Sequence, residues 1–391
     1  VRALPTIDAV LREAAASGAV PGVVAMAATD RGVIYQGAFG RRALPAGSAM
    51  TLDTVFRIAS MTKAVTSVAA MQLVERGRLA LDAPVPGIDP ALASPQVLEG
   101  FDPAGTPILR PARRPITLRH LLTHTAGFSY AMWNPHLDRY IATSGTPPLM
   151  TGRSAALSQP LVFDPGDKWE YGINIDWVGR IVEALSGQDL EAYCREHIFD
   201  PLGMADTTYL VSPEQRARQA ARHQRGGDRS LTLLPFEPFF ASEYYAGGGG
   251  LYSTAGDYLK FLRALLHGGS LGDATILTPP TVVLMGENQI GALPAGVMKT
   301  ANPELTNDVD FFPGARVRWG LGYMLTLDPG PNGRGSGSVT WAGLFNTYYW
   351  IDPARKVTGL IMTQVLPFAD PTIVTLYGRF ERELYATLDA A

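Results

Sequence analysis

The chain has 391 residues, 46% hydrophobic and 18% charged, which excludes a disordered chain and leaves room for one large or two ordinary domains. A formal net charge of −3 without a basic run excludes an electrostatic footprint for nucleic acid or an anionic membrane, so the expected partner is a small, near-neutral molecule. The single cysteine, Cys194, excludes an internal disulfide and a thiolate metal cluster.

Residues 6–18 (TIDAVLREAAASG) carry helical periodicity up to a glycine, and VVAMAATD and GVIYQGAFG read as two strands joined at Asp30-Arg31-Gly32. Residues 60–77 predict an amphipathic helix closed by Gly77. TLRHLLTHTAG predicts a short helix capped by Gly127, INIDWVGRIVEALSG another ending at Gly187, and GDYLKFLRALLHGG a further one. WGLGYMLTL, SVTWAG, NTYYWIDP and VTGLIMTQV are short, aromatic and β-branched, the pattern of consecutive antiparallel strands. The final PTIVTLYGRFERELYATL reads as an amphipathic helix covering them. The economical architecture is α/β of the α+β type: an antiparallel sheet built from both chain ends, flanked by terminal helices, with a mostly helical domain inserted. Residues 1–78 and 255–391 would form the sheet domain and 79–254 the inserted one, with the ligand site in the cleft between them. No apolar run reaches the length of a membrane span and no signal core opens the chain, which makes a cytoplasmic enzyme the expectation.

Ser60-Met61-Thr62-Lys63 places a hydroxyl and an amine one helical turn apart on one face. An apolar setting strips the lysine of its proton, and the neutral amine can then take one from the serine. A Ser-x-x-Lys tetrapeptide also arises by chance roughly once in a chain of this size, and its plain reading is an N-cap serine followed by a solvated lysine. Two further stretches bear on the choice. Tyr171, just before a helix, is either a packed aromatic or a phenol whose ionised form a neighbouring ammonium favours. Trp341-Ala342-Gly343 is either a strand end with a core tryptophan or a strand that a ligand approaches closely, with the N–H of Leu344 joining that of Ser60 around an oxyanion.

Other motifs carry less. Gly268-Gly269-Ser270-Leu271-Gly272 matches a nucleophile pattern that requires a strand before the serine, and here a helix precedes it. His120 and His124 share a helix face but lack the glutamate of a metallopeptidase. Lys299-Thr300-Ala301 lies in a loop-like stretch, and Gly247 to Gly250 read as a site of tight backbone packing rather than a dinucleotide fingerprint.

Taken in order, SMTK, LLTHTAGF, YGIN, GGGGLYSTAGD and WAG resemble the serine β-lactamase and penicillin-binding-protein superfamily in its class C-like branch, most of all the family VIII carboxylesterases. The resemblance covers nearly the whole chain. It implies that Ser60 is the acylated nucleophile, Lys63 its proton acceptor and Tyr171 the base and later proton relay. It also implies that Trp341 and Gly343 line the cleft, that Leu344 supplies an oxyanion N–H, and that Tyr130 of HTAGFSY stands near the site. No metal or cofactor is implied.

Two departures shape the expected activity. Lactamases and peptidases of the superfamily carry Lys-Thr-Gly where this chain has Trp341-Ala342-Gly343, so the cation that receives a substrate carboxylate is replaced by an indole. Asn174 falls one residue later than the asparagine of the class C Tyr-x-Asn motif, which puts its role in holding a substrate amide in doubt. The expectation is a carboxylesterase for small neutral esters. The alternatives are a β-lactamase or D-amino peptidase, an acyltransferase on the same machinery, and a binding protein that has kept only the fold. The loops 88–115, 130–160 and 210–245 carry no readable code for the natural ester.

Overall fold

A computed structural model describes residues 4–235 and 242–390. Helix α1 (Pro5–Ala16) leads into β1 (Gly22–Thr29) and β2 (Gly32–Gly40), paired as a hairpin across Asp30 and Arg31. The other strands come from the far end of the chain: β3 (Val317–Trp319), β4 (Met324–Thr326), β5 (Ser338–Gly343), β6 (Thr347–Asp352) and β7 (Val357–Met362). The sheet order is β3-β4-β5-β6-β7-β1-β2, antiparallel throughout, and the chain ends join where Val24 of β1 faces Met362 of β7. WGLGYMLTL, expected as one strand, is instead a hairpin. Trp319 ends β3, Met324 begins β4, and the turn between them is closed by Gly320 N–H donating to Tyr323 O at 2.9 Å. Glycine is required there: Gly322 has φ +109°, and a Cβ on it would stand 2.3 Å from Ser67 Oγ.

Side-chain alternation assigns the two faces of this sheet. Tyr349 of β6 packs against Tyr258 of a helix over Ala255–Leu266, their rings 5.5 Å apart. Its neighbour Trp350 points the other way, into the terminal helix Pro371–Asp389, where it lies 5.9 Å from the Phe380 ring and donates to Tyr385 at 3.1 Å. That helix shares its face with α1, since Tyr35 of β2 contacts Phe380 and donates to Asp8 at 2.8 Å. With both faces covered, every residue of β5, β6 and β7 is buried.

The helices nearest the site are α2 (Thr62–Glu75), α3 (Leu118–Leu122) and α4 (Asn174–Ser186); the helix over Ala255–Leu266 is α5 and the terminal helix α6. Helix α2 departs from the amphipathic expectation: Thr62 through Leu73 are all buried, because α4 and the helical segment 190–199 pack against it and the backbone at Gly247 and Gly322 approaches it closely. Helix α3 stops earlier than Gly127 implied, at Leu122, and His124 takes a left-handed φ of +57°. Helix α4 closes on Gly187, left-handed at φ +75°. The stretch between β2 and α5 also contains a hairpin, Gln96–Phe101 with Pro107–Pro111, and a strand, His223–Arg225, that pairs in parallel with Val365–Leu366 beyond β7. No helix among the described residues is long and apolar enough to cross a membrane.

Candidate active site

Ser60 sits in a single 3-10 turn, Ala59–Met61, immediately before α2. Ala59 holds φ at +44°, a left-handed conformation that is strained for a residue with a Cβ. The surroundings fix that turn: Ile58 N–H donates to Leu251 O at 3.1 Å, Leu251 N–H to Thr62 Oγ1 at 3.1 Å, and Tyr258 OH to Met61 O at 2.8 Å. Strand β5 closes in from the other side. A Cβ on Gly343 would stand 2.2 Å from Ile58 O and 2.3 Å from Thr347 Oγ1, so only glycine lets the strand approach this closely.

The Lys63 side chain is wholly buried behind Ser60. Its Nζ donates to Ser60 Oγ at 3.1 Å, to the Tyr130 hydroxyl at 3.0 Å and to Gly248 O at 2.6 Å. Burial pulls its pKa down to about 7, against the opposing pull of the Asp176 carboxylate. A lysine in that range is a base at neutral pH, so the reading of Lys63 as a solvated surface residue does not hold.

Tyr171 lies beneath the same amine, but its contact with Lys63 is through the ring face, whose centre is 4.6 Å from Nζ. The hydroxyl is held elsewhere, accepting a 3.0 Å hydrogen bond from Trp341 Nε1. Burial pushes this phenol upward by more than its hydrogen bonds with Ser60 and Trp341 pull it down. The expectation of a phenolate stabilised by a neighbouring ammonium is therefore corrected to a neutral phenol, because desolvation dominates. Tyr130, the least prominent of the sequence candidates, is the tyrosine that meets Lys63 by hydrogen bond.

Behind Tyr171 stands His124, fully buried, its ring 4.7 Å from that of Tyr171. Burial, reinforced by the charge of Lys63, holds this imidazole well below its ordinary pKa, hence neutral. Its Nδ1 faces Gly172 N–H at 3.3 Å and Asn174 Nδ2 at 3.0 Å, which puts the ring proton on Nε2. Asn174 is thus turned into the protein, also donating to Phe128 O at 3.3 Å, and offers nothing to a substrate amide. The doubt raised by its late position in the motif is met here. His120 is separate, accepting from Thr117 N–H at its own helix start, and among the described residues no cluster of three candidate metal ligands forms.

One contributor was not singled out from the sequence, and a second, Gly248, was expected only to pack. Asp176, in the first turn of α4, accepts a 2.9 Å hydrogen bond from Gly248 N–H, while the carbonyl of the same glycine receives Lys63. A Cβ at position 248 would meet Asp176 Oδ2 at 2.5 Å, so the glycine run supplies both the tight packing expected of it and one wall of the lysine's socket. The available signal was a carboxylate five residues after Tyr171, set between the apolar Ile175 and Trp177 in the first turn of a helix.

Ser60, Tyr130, Tyr171, Trp341 and Leu344 all line one cavity of about 1940 Å³. That exceeds the roughly 300–1,000 Å³ usual for small-molecule pockets. Leu344 follows β5 in a turn closed by Asn346 N–H donating to Gly343 O at 2.9 Å, which leaves the Leu344 N–H out of the turn's own bond. Gly343 is a correction: it is not on the cavity wall but is wedged against Ile58, and Ala342 and Leu344 on either side of it are the wall residues. Of the loops expected to shape the pocket, 130–160 contributes Met132, Trp133 and Met150, and 210–245 contributes Leu233 and Tyr244, with residues 236–241 outside those described. Residues 88–115 contribute none of the described lining. Ser270 lies apart from the cavity, its hydroxyl 2.9 Å from Thr275 Oγ1, and Lys299 pairs on the surface with Asp308 at 2.7 Å.

The chain is similar to known proteins over most of its length. Monacolin J acid methylbutanoyltransferase of Aspergillus terreus is 37% identical over 320 residues, covering 79% of this chain and 76% of the relative. A lovastatin esterase of Penicillium rubens is 32% identical over 336 residues, covering 80% of each. The LovD9 mutant of simvastatin synthase from Aspergillus terreus superposes with a TM-score of 0.86 at 35% identity, covering 98% of this chain and 99% of that one. The Beta-lactamase family model matches residues 7–381, and the chain accordingly belongs to the beta-lactamase family, as an enzyme of the serine β-lactamase and penicillin-binding-protein superfamily.

Proposed function

We propose that the protein makes or breaks carboxylic esters of bulky apolar alcohols, with the acyl group carried on Ser60. The observation that carries this reading is a near-neutral lysine 3.1 Å from a serine hydroxyl, on the wall of a cavity about 1940 Å³ in volume. In acylation, Ser60 Oγ attacks the ester carbonyl while its proton passes to Lys63 Nζ, and the Ser60 and Leu344 N–H groups receive the oxyanion; the carbonyl–alcohol bond then breaks as the departing oxygen takes the proton from the Lys63 ammonium. Tyr171 acts as a neutral phenol pinned by Trp341, orienting the serine rather than standing as a base. Deacylation by water is esterase chemistry, the family VIII carboxylesterase reading; deacylation by a bound alcohol is acyl transfer.

That one relative is a methylbutanoyltransferase and another an esterase supports one site serving both outcomes. A cavity larger than a small ester needs favours the bulky alcohol as a substrate. The indole at position 341, where a lactamase has a cation, disfavours carboxylate-bearing lactams.

The test offers a p-nitrophenyl butyrate donor with and without a bulky apolar secondary alcohol. Intact-protein mass should show butyrylation of Ser60, and the alcohol should divert product from free acid to ester. Turnover that survives Ser60→Ala would sink the proposal.

A further inference from the structure

Tyr171 is held from both sides by one residue. Glu170 N–H donates to the carbonyl of His124 at 3.0 Å, and Gly172 N–H donates to its ring Nδ1 at 3.3 Å. The N–H groups flanking Tyr171 therefore both end on His124. That histidine sits in a left-handed turn after α3, φ +57°, a conformation that few residues with a Cβ other than Asn, Asp and His adopt readily. Its ring packs on the phenol at 4.7 Å between centres, and Asn174 Nδ2 gives Nδ1 a second donor at 3.0 Å. Position 172 has no slack: a Cβ there would stand 2.4 Å from Ser129 Cα and 2.5 Å from Phe128 O.

The far edge of the imidazole is less well served. Nε2 is buried and has no hydrogen-bond partner among the described residues. An apolar ring of the same shape would fill this space without stranding a polar group, so packing alone gives no reason for a histidine. Nδ1 supplies the reason, as the acceptor for Gly172. The Trp319 ring stands perpendicular to the imidazole, 5.3 Å away between centres, and packs in turn at 4.8 Å on Trp341, the donor to Tyr171. The Tyr171 hydroxyl hydrogen-bonds with Ser60 as well as with Trp341, which puts it on the path of the serine proton.

We propose that His124 is a positioning residue, which holds the backbone on both sides of Tyr171 so that the phenol hydroxyl meets Ser60. The proposal rests on the acyl-Ser60 reading. His124 is not among the described residues that line the cavity, so it acts through Tyr171 and not on the substrate. Trp341 fixes the hydroxyl end of that tyrosine and His124 its backbone end, which clamps the side chain at both extremities. Burial keeps the imidazole neutral, and Nδ1 thereby stays an acceptor for Gly172. Removing the acceptor frees the peptide at Gly172, and a misplacement of about 1 Å in a site of this kind is enough to cost about 10²-fold in rate.

The experiment compares His124→Asn with His124→Gln, each alone and combined with Tyr171→Phe, on p-nitrophenyl butyrate. The asparagine amide oxygen falls near the position of Nδ1, and asparagine accepts the left-handed turn; glutamine reaches the position of Nε2 instead. Rates are normalised to sites titrated with a fluorophosphonate. His124→Asn should keep kcat within about fivefold of wild type, while His124→Gln lowers it about 10²-fold with KM changed by less than about threefold. Once Tyr171 is phenylalanine, His124→Gln should cost less than about threefold further, because the hydroxyl it positions is gone. Equal losses in the two variants, or an undiminished loss in the Tyr171→Phe background, would reduce His124 to a packing residue. His124→Asn is decisive even if His124→Gln does not fold: a folded variant about 10²-fold down in kcat overturns the proposal. No butyryl-Ser60 in the acid-quenched wild type would instead overturn the acyl-enzyme reading, whereas its presence together with equal losses sinks the positioning role alone.

Discussion

Trp341 Nε1 donates a 3.0 Å hydrogen bond to the hydroxyl of Tyr171, joining the strand that faces the cavity to the loop that enters α4. The indole therefore fixes the orientation of a phenol beside the serine, in addition to removing a cation from the cleft. Trp341→Phe keeps an aromatic ring but removes the donor, and should lower kcat about tenfold at little more than about 1 kcal/mol of stability. A double-mutant cycle with Tyr171→Phe checks the link: the two effects should be clearly less than additive, and full additivity would show that the hydrogen bond has no part in turnover.

Ser60→Ala should reduce turnover of p-nitrophenyl butyrate by about 10³-fold or more, whereas Ser270→Ala, remote from the cavity and bonded to Thr275, should retain nearly all of it. Steady-state kinetics with a fluorophosphonate mass adduct distinguishes the two serines.

On the acyl-Ser60 reading, the lysine sets the pH dependence. Acylation needs neutral Lys63, whose pKa is drawn down to about 7 by burial, so kcat/KM should rise with pH through about 7 and then level. The Asp176 charge opposes that depression, so Asp176→Asn should move the rise to lower pH. Stability follows the same group: between about 7 in the folded chain and 10.5 in the unfolded one, the unfolded state binds the extra proton. Stability should therefore gain from Lys63 as pH climbs through that window, and Lys63→Met should flatten the gain in urea titrations at successive pH values.

Gly343→Ala tests the approach of β5 to the serine turn. With a Cβ directed 2.2 Å from Ile58 O, the strand or the turn must move, and overpacking of this kind costs about 1–3 kcal/mol. Activity should fall further than that loss explains, because Ile58 precedes Ala59 and Ser60. Normal turnover in a destabilised variant would separate packing from catalysis.

Sequence periodicity was sufficient for much of the architecture. Residues 6–18, 60–77 and the stretch ending at Gly187 announced helices through apolar spacing and closing glycines, and the aromatic, β-branched segments after residue 317 announced strands, because local propensity and local burial agree there. The WGLGYMLTL hairpin was missed because apolar content alone does not reveal that Gly322 must press against Ser67 of α2. Within the site, Ser60 and Lys63 were legible because their three-residue spacing is a helical repeat, and contact between them is a local property.

Contacts across long separations were not legible. Tyr130 lies 67 positions from Lys63, and Gly248 lies 185 from it and 72 from Asp176; no spacing rule encodes such pairs. The depth at which Tyr171 is desolvated, which turns a candidate phenolate into a neutral phenol, depends equally on every element packed around it. The sequence by itself thus singled out the serine and its lysine, one helical turn apart, as the groups of the proposed chemistry. Tertiary packing decided which tyrosine holds the lysine, which is pinned by the indole, and how large a molecule the cavity admits, because hydrogen-bond partners and burial are set by chain segments that meet only in the fold.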